Sequence, residues 1–205
     1  MSWLPSLELW LSRLGALAGF TTLAIALWGL FRGQTRAAGR ETGIAHRYLR
    51  WPYLLIATIL YVAVCILLWR PLPVVLSWPA RLVALILGVL LYFSALTLYL
   101  WGMWTLGEMF DASSGFGVRL RAGHRLITRG PYAFVRHPMY LAVITVGLGA
   151  LLIYKTWAMV FFALNMFGLT VRARREEQAL AAEFPEEWED YCHRVPAWLP
   201  CIRRN

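Results

Sequence analysis

The chain has 205 residues, 60% of them apolar, and its nineteen Arg and one Lys against eleven acidic residues give a net charge of +9. That apolar share exceeds the roughly 45–50% of soluble domains and argues against a water-soluble fold. The basic residues form no stripe with a nucleic-acid-binding pattern but cluster beside apolar segments, so the partner they imply is a bilayer and not RNA or DNA.

In chain order, Met1–Leu14 carries Trp3, Glu8 and Trp10 and lacks the pattern of a cleavable signal. Five apolar segments follow: Leu14–Phe31, Trp51–Trp69, Leu82–Leu106, Met139–Tyr154 and Thr156–Val171. The first three reach the roughly 18–20 residues that a bilayer core requires at 1.5 Å per residue. The last two are short and are split by Lys155, which predicts a helical hairpin turning there. Trp3, Trp10, Trp51, Trp69, Trp78, Trp101 and Trp104 stand at segment boundaries, as interfacial anchors do.

Sixteen of the basic residues fall in 32–50, 107–138 and the tail after Val171; Arg13, Arg70, Arg81 and Lys155 fall on the other side. The positive-inside rule then predicts five spans, N-terminus outside, C-terminus cytoplasmic. The expected fold is all-α: a single integral-membrane domain over 1–205 with a helical hairpin and a folded-back cytoplasmic tail. Cys65, Cys192 and Cys201 form no CxxC pair and read as free thiols without a metal. Ser113–Ser114–Gly115 reads as a flexible joint. His46 and His193 read as surface residues, and His124 as a loop-packing one.

The polar material thus collects on one face, in the 107–138 loop and the 172–205 tail. Arg172 to Glu183 is expected to continue the fifth helix. Leu180, Phe184, Trp188 and Tyr191 form one stripe at helical period, and Pro185, followed by Glu186 and Glu187, suits the first turn of a new short helix. Pro138 likewise suits the first turn of the fourth span, which holds Arg136 and His137 at its cytoplasmic rim. The hairpin's open end brings Arg136 and His137 toward Arg172, Glu176 and Glu177. Two carboxylates beside an Arg suit a ligand that carries an ammonium and a carboxylate, as an amino-acid zwitterion does.

The stretch HRLITRGPYAFVRHPMY, the hairpin, and then RARREEQALAAEFPEEWEDYCHRVPAWLP resemble the isoprenylcysteine carboxyl methyltransferase family and its relatives, the membrane phospholipid N-methyltransferases. WTLGEMF (Trp104–Phe110) resembles the family's segment at the end of a preceding span. The likeness covers about half the chain, marking 107–205 as the catalytic half. It implies methyl transfer from S-adenosylmethionine without a Rossmann fold. By motif position, Arg136, His137 and Tyr140 would contact the cofactor, Glu176 or Glu177 would hold its ammonium, and Trp188 and Tyr191 would cover its adenine. Arg172 would face a lipidic or prenylated acceptor that enters from the membrane. A carboxylate acceptor needs no general base; for an amine or thiol, His137, Glu177 or water would take the proton. The isoprenylcysteine carboxylate ranks first, ahead of a phospholipid headgroup amine or a small thiol. An NADPH-dependent sterol-reductase-like protein and a non-enzymatic membrane subunit are the competing readings. Ala142, Pro185 and Trp188 depart from the family's commoner Gly, Gly and Tyr, which bears on the substrate more than on the reaction.

Overall fold

The structure, a computed structural model, describes residues 3–34, 38–41, 51–110, 113–114, 117–121 and 125–199. His46, His124 and Cys201 lie outside the described residues. Seven α-helices dominate these segments: α1 (Trp3–Gln34), α2 (Trp51–Leu67), α3 (Trp78–Leu106), α4 (Pro138–Tyr154), α5 (Trp157–Met166), α6 (Leu169–Glu183) and α7 (Pro185–Arg194).

The helical expectation holds with one addition. Three short strands, β1 (Ala38–Glu41), β2 (Ser113–Ser114) and β3 (Gly117–Arg121), pair antiparallel in the order β1-β3-β2. Ser113–Ser114, expected as a flexible joint, is paired here to Val118 and Gly117. The sheet joins the first loop to the third and packs beside α6.

Two helical stretches, Trp3–Arg32 and Trp78–Met109, are long and apolar enough to cross a membrane. Leu55–Leu67 and Pro138–Tyr154 are apolar but shorter, and α5 has 10 residues. At 1.5 Å per residue α5 rises about 15 Å, half a bilayer core. Large apolar side chains point outward all along these helices: Leu17, Phe20, Ile66 and Leu67 are 66–74% exposed. A continuous apolar surface of this kind is stable against lipid and not against water.

α3 and α4 form the central pair. A Cβ on Gly149 would lie 2.6 Å from the Tyr92 amide nitrogen, so the two backbones touch at this crossing. Tyr92, Leu96, Ala150 and Ile153 form the buried cluster around it, and the Tyr92 hydroxyl donates to the Gly15 carbonyl of α1 at 2.9 Å.

The hairpin turns where the sequence predicts. Lys155 adopts φ 49°, ψ 48°, which ends α4, and Thr156 caps α5 by accepting from the Met159 amide at 3.4 Å. The α2–α3 loop is laced to this turn: Leu72 N–H donates to Lys155 O at 2.8 Å and Trp157 N–H to Arg70 O at 3.0 Å. At the same end Glu8 pairs with both Arg81 and Lys155. That pairing lets α1 begin at Trp3, well before the apolar run at Leu14, because the one carboxylate in its first turns has two cationic partners.

One expectation fails in detail. Arg172–Glu183 does not continue the preceding helix without a break. α5 stops at Met166, a turn covers Phe167–Gly168, and α6 starts at Leu169. Gly168 is a poor helix interior residue and supplies the break.

Candidate active site

The site grows from two prolines and one glycine. Gly130 takes φ 60°, and a Cβ there would fall 2.7 Å from Thr105 Oγ1 on α3, so only Gly lets the chain turn against α3 at this point. A short 3-10 turn, Gly130–Ala133, follows. Pro138 then occupies the first turn of α4, where its missing N–H costs nothing. The intervening Arg136 and His137 have their backbone N–H groups free of α4, and the C-terminal strap takes both. Arg136 N–H donates to Pro196 O at 2.9 Å and His137 N–H to Ala197 O at 3.1 Å.

Pro185 starts α7, with Glu186 and Glu187 at its positive end. The helix buries Trp188 and Tyr191, and the Tyr191 hydroxyl donates to the Tyr132 carbonyl at 2.7 Å. The tail is thereby fastened to the loop that precedes α4.

The two adjacent carboxylates of α6 have different partners. Glu177 Oε1 accepts from Arg136 Nε at 3.0 Å and from His137 Nε2 at 2.9 Å. An ionised carboxylate only accepts, so Nε2 carries the proton. The His137 hydrogen bond, together with the charges of His137 and Arg136, holds the Glu177 carboxyl below its ordinary value, against the opposing effect of burial. Arg136 also donates to Val195 O at 3.2 Å and lies 5.7 Å from the Trp188 ring. Glu176 Oε2 instead accepts from the Tyr140 hydroxyl at 2.6 Å. The Arg172 guanidinium stands over the Tyr140 ring at 5.2 Å. Burial raises the Tyr191 phenol above its ordinary value, and burial followed by the charge of Glu176 does the same for Tyr132.

A cavity of about 500 Å³ opens among these groups. Arg136, His137, Tyr140, Arg172, Glu176, Trp188 and Tyr191 line it. Glu177 is not among the lining residues; it sits behind them, tied to Arg136 and His137. The other wall is apolar, with Leu23 and Leu30 of α1, Val143 of α4 and Met166 of α5. The sequence singles out neither Tyr99 in the lining nor Trp198, whose ring lies 5.4 Å from that of His137; Arg125 and Tyr132, also in the lining, fall in the 123–140 segment from which the pocket is expected to be built. Tyr99 sits inside an apolar run, and nothing in its neighbourhood distinguishes it from a packing residue. Among the described residues no group of three or more His, Cys, Asp or Glu is placed to hold a metal ion.

The cavity thus has one polar and one apolar wall. Residues 84–182 match the isoprenylcysteine carboxyl methyltransferase family, a range that holds Arg136, His137, Tyr140, Arg172 and Glu176 of the lining but not Leu23, Leu30, Trp188 or Tyr191. Three curated relatives are each similar over 39–46% of the chain. The nickel-cobalt-cadmium resistance protein NccN of Alcaligenes xylosoxydans xylosoxydans is 40% identical over 85 residues, 39% of this chain and 38% of that protein. The cobalt-zinc-cadmium resistance protein CzcN of Cupriavidus metallidurans is 36% identical over 84 residues, 39% and 38% of the two chains. The protein-S-isoprenylcysteine O-methyltransferase of Mus musculus is 34% identical over 101 residues, 46% and 36%. The matched stretch thus spans under two fifths of each relative's length.

Proposed function

We propose that the chain is an integral-membrane methyltransferase that uses S-adenosylmethionine and methylates the carboxylate of an isoprenylcysteine-type lipidic acceptor. One observation carries the reading: Arg172, Glu176 and Tyr140 meet at the polar end of a cavity whose other wall is apolar helix. In this reading the chain crosses the bilayer five times, N-terminus outside, and the site faces the cytoplasm. The excess of Arg in the 32–50, 107–138 and C-terminal segments supports that orientation.

The residues present fit the cofactor. Glu176 supplies a carboxylate for its ammonium, and Trp188 and Tyr191 supply aromatic faces for its purine. When bound, S-adenosylmethionine supplies an electrophilic methyl group on a sulfonium. Glu177 contributes by fixing Arg136 and His137 at the rim, with Tyr140 stacked on His137 at 5.5 Å. Arg172 binds the acceptor carboxylate through paired hydrogen bonds and aims one oxygen at the methyl carbon. A carboxylate is already ionised at pH 7, so no side chain has to remove a proton. The residues contribute alignment, which is worth several kcal/mol in a bimolecular displacement. The apolar wall holds the lipid and excludes water.

The test is transfer of labelled methyl from S-adenosylmethionine by the purified protein to three acceptors: a farnesylcysteine, a phosphatidylethanolamine and a small alkyl thiol. Label released as methanol by mild base marks a methyl ester and supports the carboxylate reading. Base-stable label on the amine or the thiol moves the protein to another acceptor class.

A further inference from the structure

His137 has an aromatic neighbour to which the sequence reading assigns no role. Trp198 lies in the strap after α7, and its ring centroid is 5.4 Å from that of His137 at 36°. On the same ring Tyr140 stacks at 5.5 Å and 15°. The strap's carbonyls at Pro196 and Ala197 meanwhile accept the N–H groups of Arg136 and His137. His137 is 6% exposed, and its Nε2 points to Glu177 at 2.9 Å. An imidazole turns about its Cβ–Cγ bond through a broad, shallow potential, so its direction is set by what packs on it. Two aromatic rings and a backbone tether supply that packing.

We infer that Trp198 is a positioning residue of this site, acting through His137: its ring holds the imidazole so that Nε2 stays on Glu177. With His137 released, Glu177 loses a donor and Arg136 loses the fixed carboxylate that keeps it at the rim. Glu176, Tyr140, Arg172, Trp188 and Tyr191 keep their places in the lining. The inference rests on the methyltransferase reading for its functional half only. Orientation of the ring stands apart from any ligand.

Trp198→Leu keeps apolar bulk but removes the ring plane, and Trp198→Phe restores a ring. The first readout needs no ligand: the His137 Nε2–H resonance in histidine-labelled full-length protein, assigned by its absence in His137→Ala. Wild type and Trp198→Phe are expected to keep this hydrogen-bonded proton, and Trp198→Leu to lose it. Retention of the signal, unshifted, in Trp198→Leu overturns the inference. The second readout is affinity for S-adenosylhomocysteine. Trp198→Leu should weaken it about fivefold to tenfold, the scale of an aromatic contact and what depends on it. In the His137→Ala background the same change should add nothing, since the two residues act as one unit. An equal loss in both backgrounds overturns the route through His137, because Trp198 then acts on its own. Should wild type bind no S-adenosylhomocysteine, the methyltransferase reading fails, and the resonance alone decides the role of Trp198.

Discussion

Glu177 Oε1 lies 2.9 Å from His137 Nε2, while its neighbour Glu176 takes the Tyr140 hydroxyl at 2.6 Å. Two carboxylates one residue apart therefore do different work. Glu177 joins the rim to α6, and Glu176 faces the cavity.

Substitution separates the two roles. Glu177→Gln leaves the partly buried Arg136 and the buried His137 without their carboxylate. It should cost about 1–3 kcal/mol, the scale of a lost hydrogen bond to a charged group, and lower the thermal midpoint by several degrees. Glu176→Gln should leave the midpoint nearly unchanged and weaken S-adenosylhomocysteine about tenfold or more. Thermal scans and calorimetric titrations of both variants check the split.

The Glu177 carboxyl is held below its ordinary value of 4.5. Its contribution to stability is therefore fully present above about pH 5 and is lost as pH falls through the lower folded value. Thermal midpoints measured from pH 7 down to 3 should fall across that window in wild type. In Glu177→Gln the drop should be smaller, since the group that protonates is gone.

Arg172→Lys keeps the charge and removes the planar fork that meets a carboxylate through two bonds. The acceptor KM should rise roughly tenfold to a hundredfold, with donor affinity within about twofold of wild type. A proportional loss of donor affinity would place Arg172 on the cofactor instead.

At the α3–α4 crossing a methyl on Gly149 meets backbone, not a side chain that can swing away: Tyr92 N at 2.6 Å and Gly88 O at 2.9 Å. Gly149→Ala should cost about 1–3 kcal/mol by forcing the helices apart. For a chain of this size that is a fall of roughly 3–10 °C in thermal midpoint. Gly107→Ala, with nothing within 4 Å of its Cβ, tests the strain of a positive φ without a clash.

Much of the site was legible because its signals are local. Pro138 and Pro185 mark helix starts, Lys155 marks the hairpin turn, and topology alone brings Arg136 and His137 to Glu176 and Glu177. The remainder depends on long-range contacts with no periodic trace. The strands Ala38–Glu41 and Ser113–Ser114 are too short to alternate, and they exist only by pairing with Gly117–Arg121. Glu8 looks foreign to a span until Arg81 and Lys155 reach it from residues far along the chain. Nothing local in the sequence places Trp198; the strap's hydrogen bonds to Arg136 and His137 put it against the imidazole. That Glu177 stands behind the cavity and Glu176 in it is a matter of 100° of helix rotation, finer than two adjacent Glu in a sequence can specify.

The central claim is a cofactor pocket among Arg136, His137, Tyr140 and Glu176. Its most direct test is a calorimetric titration of the detergent-purified protein with S-adenosylhomocysteine, run in parallel with NADPH. Saturable one-site binding of S-adenosylhomocysteine, with no heat from NADPH, is the result this account predicts. Binding of NADPH alone, or of neither by a protein that still shows a cooperative thermal transition, would contradict it.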